Sequence, residues 1–220
     1  MPQSKLLLYC LKYAESVLRE SMFFYNGSTE KYYPISFAIY LIKIGKRNVL
    51  VDAGCETMPG FEMNWICSPT TVLEQIGLNN ADITDVIITH AHHDHIEAVK
   101  HFSNAIIYIS KKEYQKGKKY IPEGFKVITF ENECLFAPNV KIVEWGGHSQ
   151  GSAIVEIETK DITHIIAGDE CYINDCIKNN IPTGSYYNLA KSREFVEKYN
   201  DSQYCVHTCH EIGLKTERII

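Results

Sequence analysis

"ITHAHHDHIEA" (Ile88–Ala98) packs four histidines and an aspartate into the six residues from His90 to His95. Only nine histidines occur in the 220 residues, so this is a local concentration and not a habit of composition. The preceding "DVIITH" is a short apolar run of the buried-strand type, ending at His90. A short helix follows from about Asp94 to His101. A continuous helix would scatter His90, His92, Asp94 and His95 around its circumference. A strand end turning into a helix gathers them around one point, and rigid elements fix the direction of such side chains.

Other segments end on residues of the same chemistry. "ITHIIAGD" reads as a strand ending at Asp169, and "SQYCVHTCH" as a strand closing on His210. His148 lies in "GGHSQGS", a Gly-rich turn before the alternating strand "SAIVEIET". His207 competes with His210, but only His210 stands at the strand terminus. Imidazole and carboxylate suit zinc, and manganese, iron or cobalt bind the same donors. Seven candidate ligands exceed what one tetrahedral ion needs and suffice for two if one carboxylate bridges. His93, His101 and His164 are read as non-ligands, His93 as pocket wall or solvent-facing.

The remaining pattern alternates strands and helices. "ISFAIYLIKIGKRNVLVDAG" gives two strands around Gly45-Lys46, and "SPTTVLEQIGL" a helix. "AIIYIS" is a strand and "KKEYQKGKK" a helix with a solvated charged face. "KVITF", "CLFA" and "VKIVEW" read as a meander, and "NLAKSREFVEKYN" as an amphipathic helix. Two face-to-face sheets with helices outside are one way to bury this pattern, though the pattern alone does not force it; one domain, residues 1–220, is expected. The net charge of −5 argues against nucleic acid as a partner. The N-terminal "MPQSKLLLYCLKYAESVLRE" shows no secretory signal, and no run of 18 apolar residues occurs. The eight cysteines form no CxxC pair, so free thiols in the cytoplasm are expected, with Cys171 and Cys209 as buried packing residues.

"HAHHDH" is an H-x-H-x-D-H motif, followed in order by "GGHSQGS", "AGDE" and "CHE", and preceded by "VLVDAG". With these the chain resembles the metallo-β-lactamase superfamily over nearly its full length. The resemblance implies an αββα sandwich of two mixed sheets flanked by helices, an α/β (α+β) fold with metals at one edge of the sheets. It also implies that His90, His92 and His148 hold one ion and Asp94, His95 and His210 a second. Asp169 would bridge the two, and Asp52 would orient a ligand histidine.

Histidine at position 92 argues for hydrolysis, since flavodiiron members carry glutamate there. Tyr172, three residues after Asp169, matches the D-x-x-Y of N-acyl homoserine lactonases. That match implies a hydroxyl reaching the substrate. The expected enzyme is therefore a dinuclear metal hydrolase that cleaves a small ester, foremost a lactone, with a hydroxide shared by its two ions, Asp94 relaying a proton. Thioesterase, phosphodiesterase and a non-catalytic metal sensor are the alternatives. The polar His93, and Glu97-Ala98 where lactonase relatives have Gly-Gly, point to short or polar acyl groups. Met22, Phe23, Phe61 and Trp65 are candidates for a substrate lid or, equally, for ordinary packing or a homodimer surface.

Overall fold

The computed structural model describes residues 6–220; residues 1–5, the start of the segment in which no secretory signal is expected, lie outside them. The chain starts with β1 (Leu6–Arg19), the short α1 (Glu20–Phe23), β2 (Tyr32–Ile44), β3 (Arg47–Val51) and β4 (Asn64–Trp65). It continues through β5 (Asp85–Ile88), α2 (His93–Ile96), β6 (Ile106–Ser110), α3 (Lys111–Gly117) and β7 (Lys126–Phe130). The second half holds β8 (Glu133–Ala137), β9 (Val140–Glu144), β10 (Ala153–Glu158), β11 (Thr163–Ile166), α4 (Asn174–Lys178), α5 (Leu189–Tyr199), β12 (Tyr204–His207) and β13 (Glu217–Arg218).

Two mixed sheets face each other. The first has the order β13-β1-β2-β3-β5-β6-β7, with β4 added on β1; the second has the order β12-β11-β10-β9-β8. One apolar cluster lies between them, including Tyr40, Ile42, Val49 and Ile87 from the first sheet and Ile142, Val155 and Ile157 from the second. A second cluster joins Leu50, Val86 and Ile165 of the sheets with Val72, Phe102 and Phe195 of the helical segments. Helix, sheet, sheet, helix is therefore the layering, as the family resemblance implies.

Several elements differ from the sequence expectation. β7 is no part of a meander: it pairs in parallel with β6 in the first sheet, whereas β8 and β9 belong to the second. The helix expected at "SPTTVLEQIGL" is a 3-10 turn over Thr71–Ile76, stopped by Gly77 at φ 73°. β1 has 14 residues and was not foreseen as a strand. A bulge between Lys12 and Ala14 breaks its alternation, so Tyr13 and Ala14 are both buried. No helix among the described residues is long and apolar enough to cross a membrane.

Candidate metal centre

The C-terminal ends of β3, β5, β11 and β12 come together at one edge of the sandwich. Asp52 follows β3 at φ 64°, and His90 lies two residues past β5. Asp169 sits in the 3-10 turn Gly168–Glu170 after β11. Gly168, at φ 52°, brings that turn so near Thr89 that a Cβ would fall 2.9 Å from its Oγ1. His210 lies three residues past β12, and His148 is in the turn between β9 and β10.

Six of the seven residues proposed as ligands meet around the seventh. His90 Nε2 is 3.0 Å from His92 Nδ1, which is 2.9 Å from His148 Nε2. Asp169 turns Oδ2 to this group, 3.7 Å from His90 and 3.5 Å from His148. It turns Oδ1 the other way, 3.2 Å from His95 Nε2 and 3.3 Å from His210 Nε2. Asp94 Oδ2 lies 3.5 Å and 3.6 Å from the same two nitrogens.

Outer hydrogen bonds set the tautomers. His95 Nδ1 faces Asp52 Oδ2 at 2.8 Å, and Asp52 Oδ1 also accepts from Thr89 N at 2.8 Å. His148 Nδ1 donates to Ser185 O at 2.6 Å, and His210 Nδ1 to Ser36 O at 3.0 Å. Each ring therefore carries its proton outside and points a bare Nε2 inward. His95 Nε2 is buried without a hydrogen-bond partner. Inward-facing acceptors at such separations repel unless a cation lies among them, so this donor set fits divalent ions.

The same crowding shapes the protonation of the metal-free site. Burial, with His95 beside it, pushes His90 well below the ordinary histidine range, and burial also lowers His148. Burial opposes the charge on His95 and His210, but the Asp169 and Asp94 carboxylates outweigh it and raise both. Asp169 is held well below the carboxylate range by His95, His210 and His148, against its burial. Burial raises the Tyr172 phenol well above its usual value, with Asp169 and Asp94 adding to the shift. Its hydroxyl thus stays protonated, and its ring stacks on His210 at 5.1 Å.

A cavity of about 400 Å³ opens over this centre. His92, Asp94, Asp169, Tyr172 and His210 line one side. Leu18, Met22, Phe37, Met58, Pro59 and Phe61 line the other. Of the four lid candidates, Met22 and Phe61 reach the cavity. Phe23 is fully buried core, and Trp65 stacks on Tyr13 at 6.3 Å instead. His93 borders the cavity and is spanned by Thr57 O at 2.8 Å and Tyr120 Oη at 3.3 Å.

His207 lies apart from the centre. Its Nε2 meets His164 Nδ1 at 2.9 Å with the two rings only 14° from parallel, an edge-to-edge N–H···N bond beside Cys205. Cys209 is buried in the core between the sheets, as expected, and it also touches the centre. β12 has ended at His207, so strict alternation no longer applies, and Cys209 Sγ lies 3.4 Å from Asp169 Oδ1. Cys171 is buried with its Sγ 3.1 Å from Ile173 O.

Two residues near the centre escaped the sequence reading. Glu170 accepts from Gly147 N and His148 N, both at 3.1 Å, and from Ser152 Oγ at 2.5 Å. Burial pushes its carboxyl up to about 7 against those donors. Glu113 on α3, 1% exposed, accepts from Ala91 N, Ser149 Oγ and Gly151 N. Glu170 adjoins Asp169 and was within reach of the motif. Glu113 sits in a run of lysines that reads as solvated, so its sequence carries no signal.

The layering and this edge define a metallo-hydrolase class of fold. Residues 38–202 match the metallo-beta-lactamase superfamily, and the chain belongs to that superfamily of hydrolases. A probable metallo-hydrolase of Methanocaldococcus jannaschii is 30% identical over 148 residues, 67% of this chain and 66% of that protein. An N-acyl homoserine lactonase of Bacillus cereus is 27% identical over 126 residues, 53% of this chain and 50% of the lactonase. Another, from Agrobacterium fabrum, is 25% identical over 178 residues, 63% and 64% of the two chains. The chain thus spans about half to two thirds of the length of these curated relatives.

Solved structures show the same fold. An N-acyl homoserine lactone hydrolase with N-hexanoyl-L-homoserine bound at its catalytic metal centre has a TM-score of 0.80 at 18% identity, covering 100% of both chains. A probable metal-dependent hydrolase from Staphylococcus aureus has a TM-score of 0.78 at 20% identity, covering 96% of this chain and 91% of that one.

Proposed function

We propose that this protein is a dinuclear metal-dependent hydrolase that opens a lactone of the N-acyl homoserine type. His90, His92 and His148 hold one ion, and Asp94, His95 and His210 hold the other. Asp169 lies between them, and zinc suits the donors best. One observation carries this reading: a single buried carboxylate turns one oxygen to each of two histidine groups, on the floor of a cavity whose far wall is apolar. The lactonase relatives support the substrate class.

Two divalent ions bound there would supply a water of lowered pKa and a Lewis acid for the carbonyl. The chain's own groups do the rest. Asp94, whose side chain keeps 11% exposure, takes the proton released by the attacking water and passes it to the leaving alkoxide. Tyr172, still protonated at neutral pH, donates a hydrogen bond to the carbonyl oxygen as charge develops on it. Asp52 keeps the His95 ring in the tautomer that faces Asp169. The apolar wall holds an acyl arm and excludes water from it. This wall revises the expectation of a short or polar acyl group: His93 spends its ring nitrogens on Thr57 and Tyr120, leaving the wall to Leu18, Met22 and Phe61.

The test is hydrolysis by zinc-loaded protein of an N-acyl homoserine lactone, a thioester and a phosphodiester in parallel. Lactone turnover should lead by at least about tenfold, since a geometry difference worth ~1.4 kcal/mol already gives that factor. Phosphodiester cleavage without lactone turnover would reject the substrate class and keep the ion assignment.

A further inference from the structure

We propose that Glu113 is a positioning residue for the first ion's ligands, its carboxylate tying the His90–His92 turn to the His148 turn and setting the spacing of their three nitrogens. This rests on the ion assignment above. The two oxygens are divided between the two turns. Oε2 accepts from Ala91 N, the amide between His90 and His92, at 2.9 Å. Oε1 accepts from Ser149 Oγ, beside His148, at 2.8 Å and from Gly151 N at 3.0 Å. Apart from the proposed ligands His92 and Asp169, which meet the His90 and His148 rings themselves, no other side chain among the described residues bonds both turns.

The surrounding sequence is built to let one glutamate reach both. Ser110 Oγ accepts from Glu113 N at 3.2 Å, which fixes the start of α3. A Cβ on Gly151 would lie 2.3 Å from Ser110 Oγ, so only glycine lets the His148 turn approach α3 this closely. A Cβ on Gly117 would lie 2.9 Å from Ile96 Cδ1 and 3.3 Å from Ala91 Cβ, so α3 also presses on the histidine turn. Glu113 is 1% exposed and makes no ion pair with Lys, Arg or His among the described residues. A buried carboxylate held by three neutral donors is costly as a mere strut, since apolar packing would hold α3 more cheaply. Its geometry is what an apolar side chain cannot supply.

Glu113→Gln separates the two tethers. The amide oxygen still accepts from Ser149 and Gly151, but the amide N–H₂ now meets the Ala91 N–H, donor against donor. The His90–His92 turn is released while α3 stays packed. Stepwise zinc binding, followed by competition with a chelating indicator, reads the result. A His210→Ala background, in which only the first site is complete, tells the ions apart. Expected is a fall of about 10- to 100-fold in affinity for the first ion, the range for lost outer-shell partners, with the second within about twofold. Excess zinc should restore kcat with KM unchanged, and the zinc-loaded Tm should stay within a few degrees of wild type. Ser149→Ala, which removes one donor and disturbs folding least, should weaken the same ion by a smaller factor. Unchanged first-ion affinity in either variant, or equal losses at both ions, would overturn the proposal. A wild-type chain that takes up no zinc would overturn the ion assignment, and this inference with it.

Discussion

Tyr172 is 4% exposed, stacked on His210, with its hydroxyl kept protonated by burial and by two nearby carboxylates. A donor aimed at a developing oxyanion is worth roughly 2.7–4 kcal/mol, about 10² to 10³ in rate. Tyr172→Phe should therefore lower kcat on a lactone by about that factor while metal content stays the same. An unchanged kcat would remove Tyr172 from the reaction. His207 and His210 make a second contrast at this scale. Sequence favours His210 because it stands at the strand terminus, and the structure puts its Nε2 3.3 Å from Asp169 while His207 bonds His164. His210→Ala should lose one ion on dialysis and His207→Ala should keep both; the reverse pattern would exchange their roles. The residues of the motifs were legible because metal chemistry admits few side chains. Glu113 and the contact of Cys209 with Asp169 were not, because each depends on which way a loop turns after its strand or on what an unrelated segment brings beside it.

Elements were legible where pattern is local. β5, β6, β10 and α5 fall where apolar runs or helical spacing place them. β1 was hidden because its bulge puts Tyr13 and Ala14 side by side in the core, so no two-residue period survives. The sheet that β7 joins was hidden for another reason: strand partners are chosen by the whole fold, and nothing within "KVITF" distinguishes β6 from β8. β1 matters to stability, since it pairs with β2 along 13 residues from Leu6 to Arg19. Leu11→Ala, at a fully buried position of that strand, should cost about 2–5 kcal/mol in denaturant unfolding; a loss under about 1 kcal/mol would mean β1 is not part of the core.

α5 is held to the second sheet partly by Glu156. Its carboxylate accepts from Tyr199 Oη at 2.7 Å and pairs with Lys141 at 3.0 Å. Burial opposes its charge, yet these partners outweigh it and lower its pKa below 4.5. A lowered carboxyl contributes stability above the unfolded value and loses it as pH falls through the folded one. Glu156→Gln should therefore cost about 1–2 kcal/mol near pH 7 and progressively less below pH ~4.5. Equal losses at pH 7 and pH 3 would show that its charge plays no part.

At the scale of the whole molecule, the sandwich brings strand ends from both halves of the chain to one edge, and Leu18 of β1, Phe37 of β2 and the β3–β4 connection build the apolar wall beside it. That separation of polar floor from apolar wall predicts how substrates rank. Each methylene buried against the wall is worth ~0.8 kcal/mol, so kcat/KM on homoserine lactones should rise about three- to fourfold per CH₂ until the cavity of about 400 Å³ is filled. Rates that fall with acyl length would favour the short or polar acyl group that His93 suggests. The central claim is that two ions share Asp169, and ion content tests it most directly. Protein purified without chelator and supplemented with zinc should carry about two ions per chain by elemental analysis. A content that stays at zero or one after supplementation would contradict it.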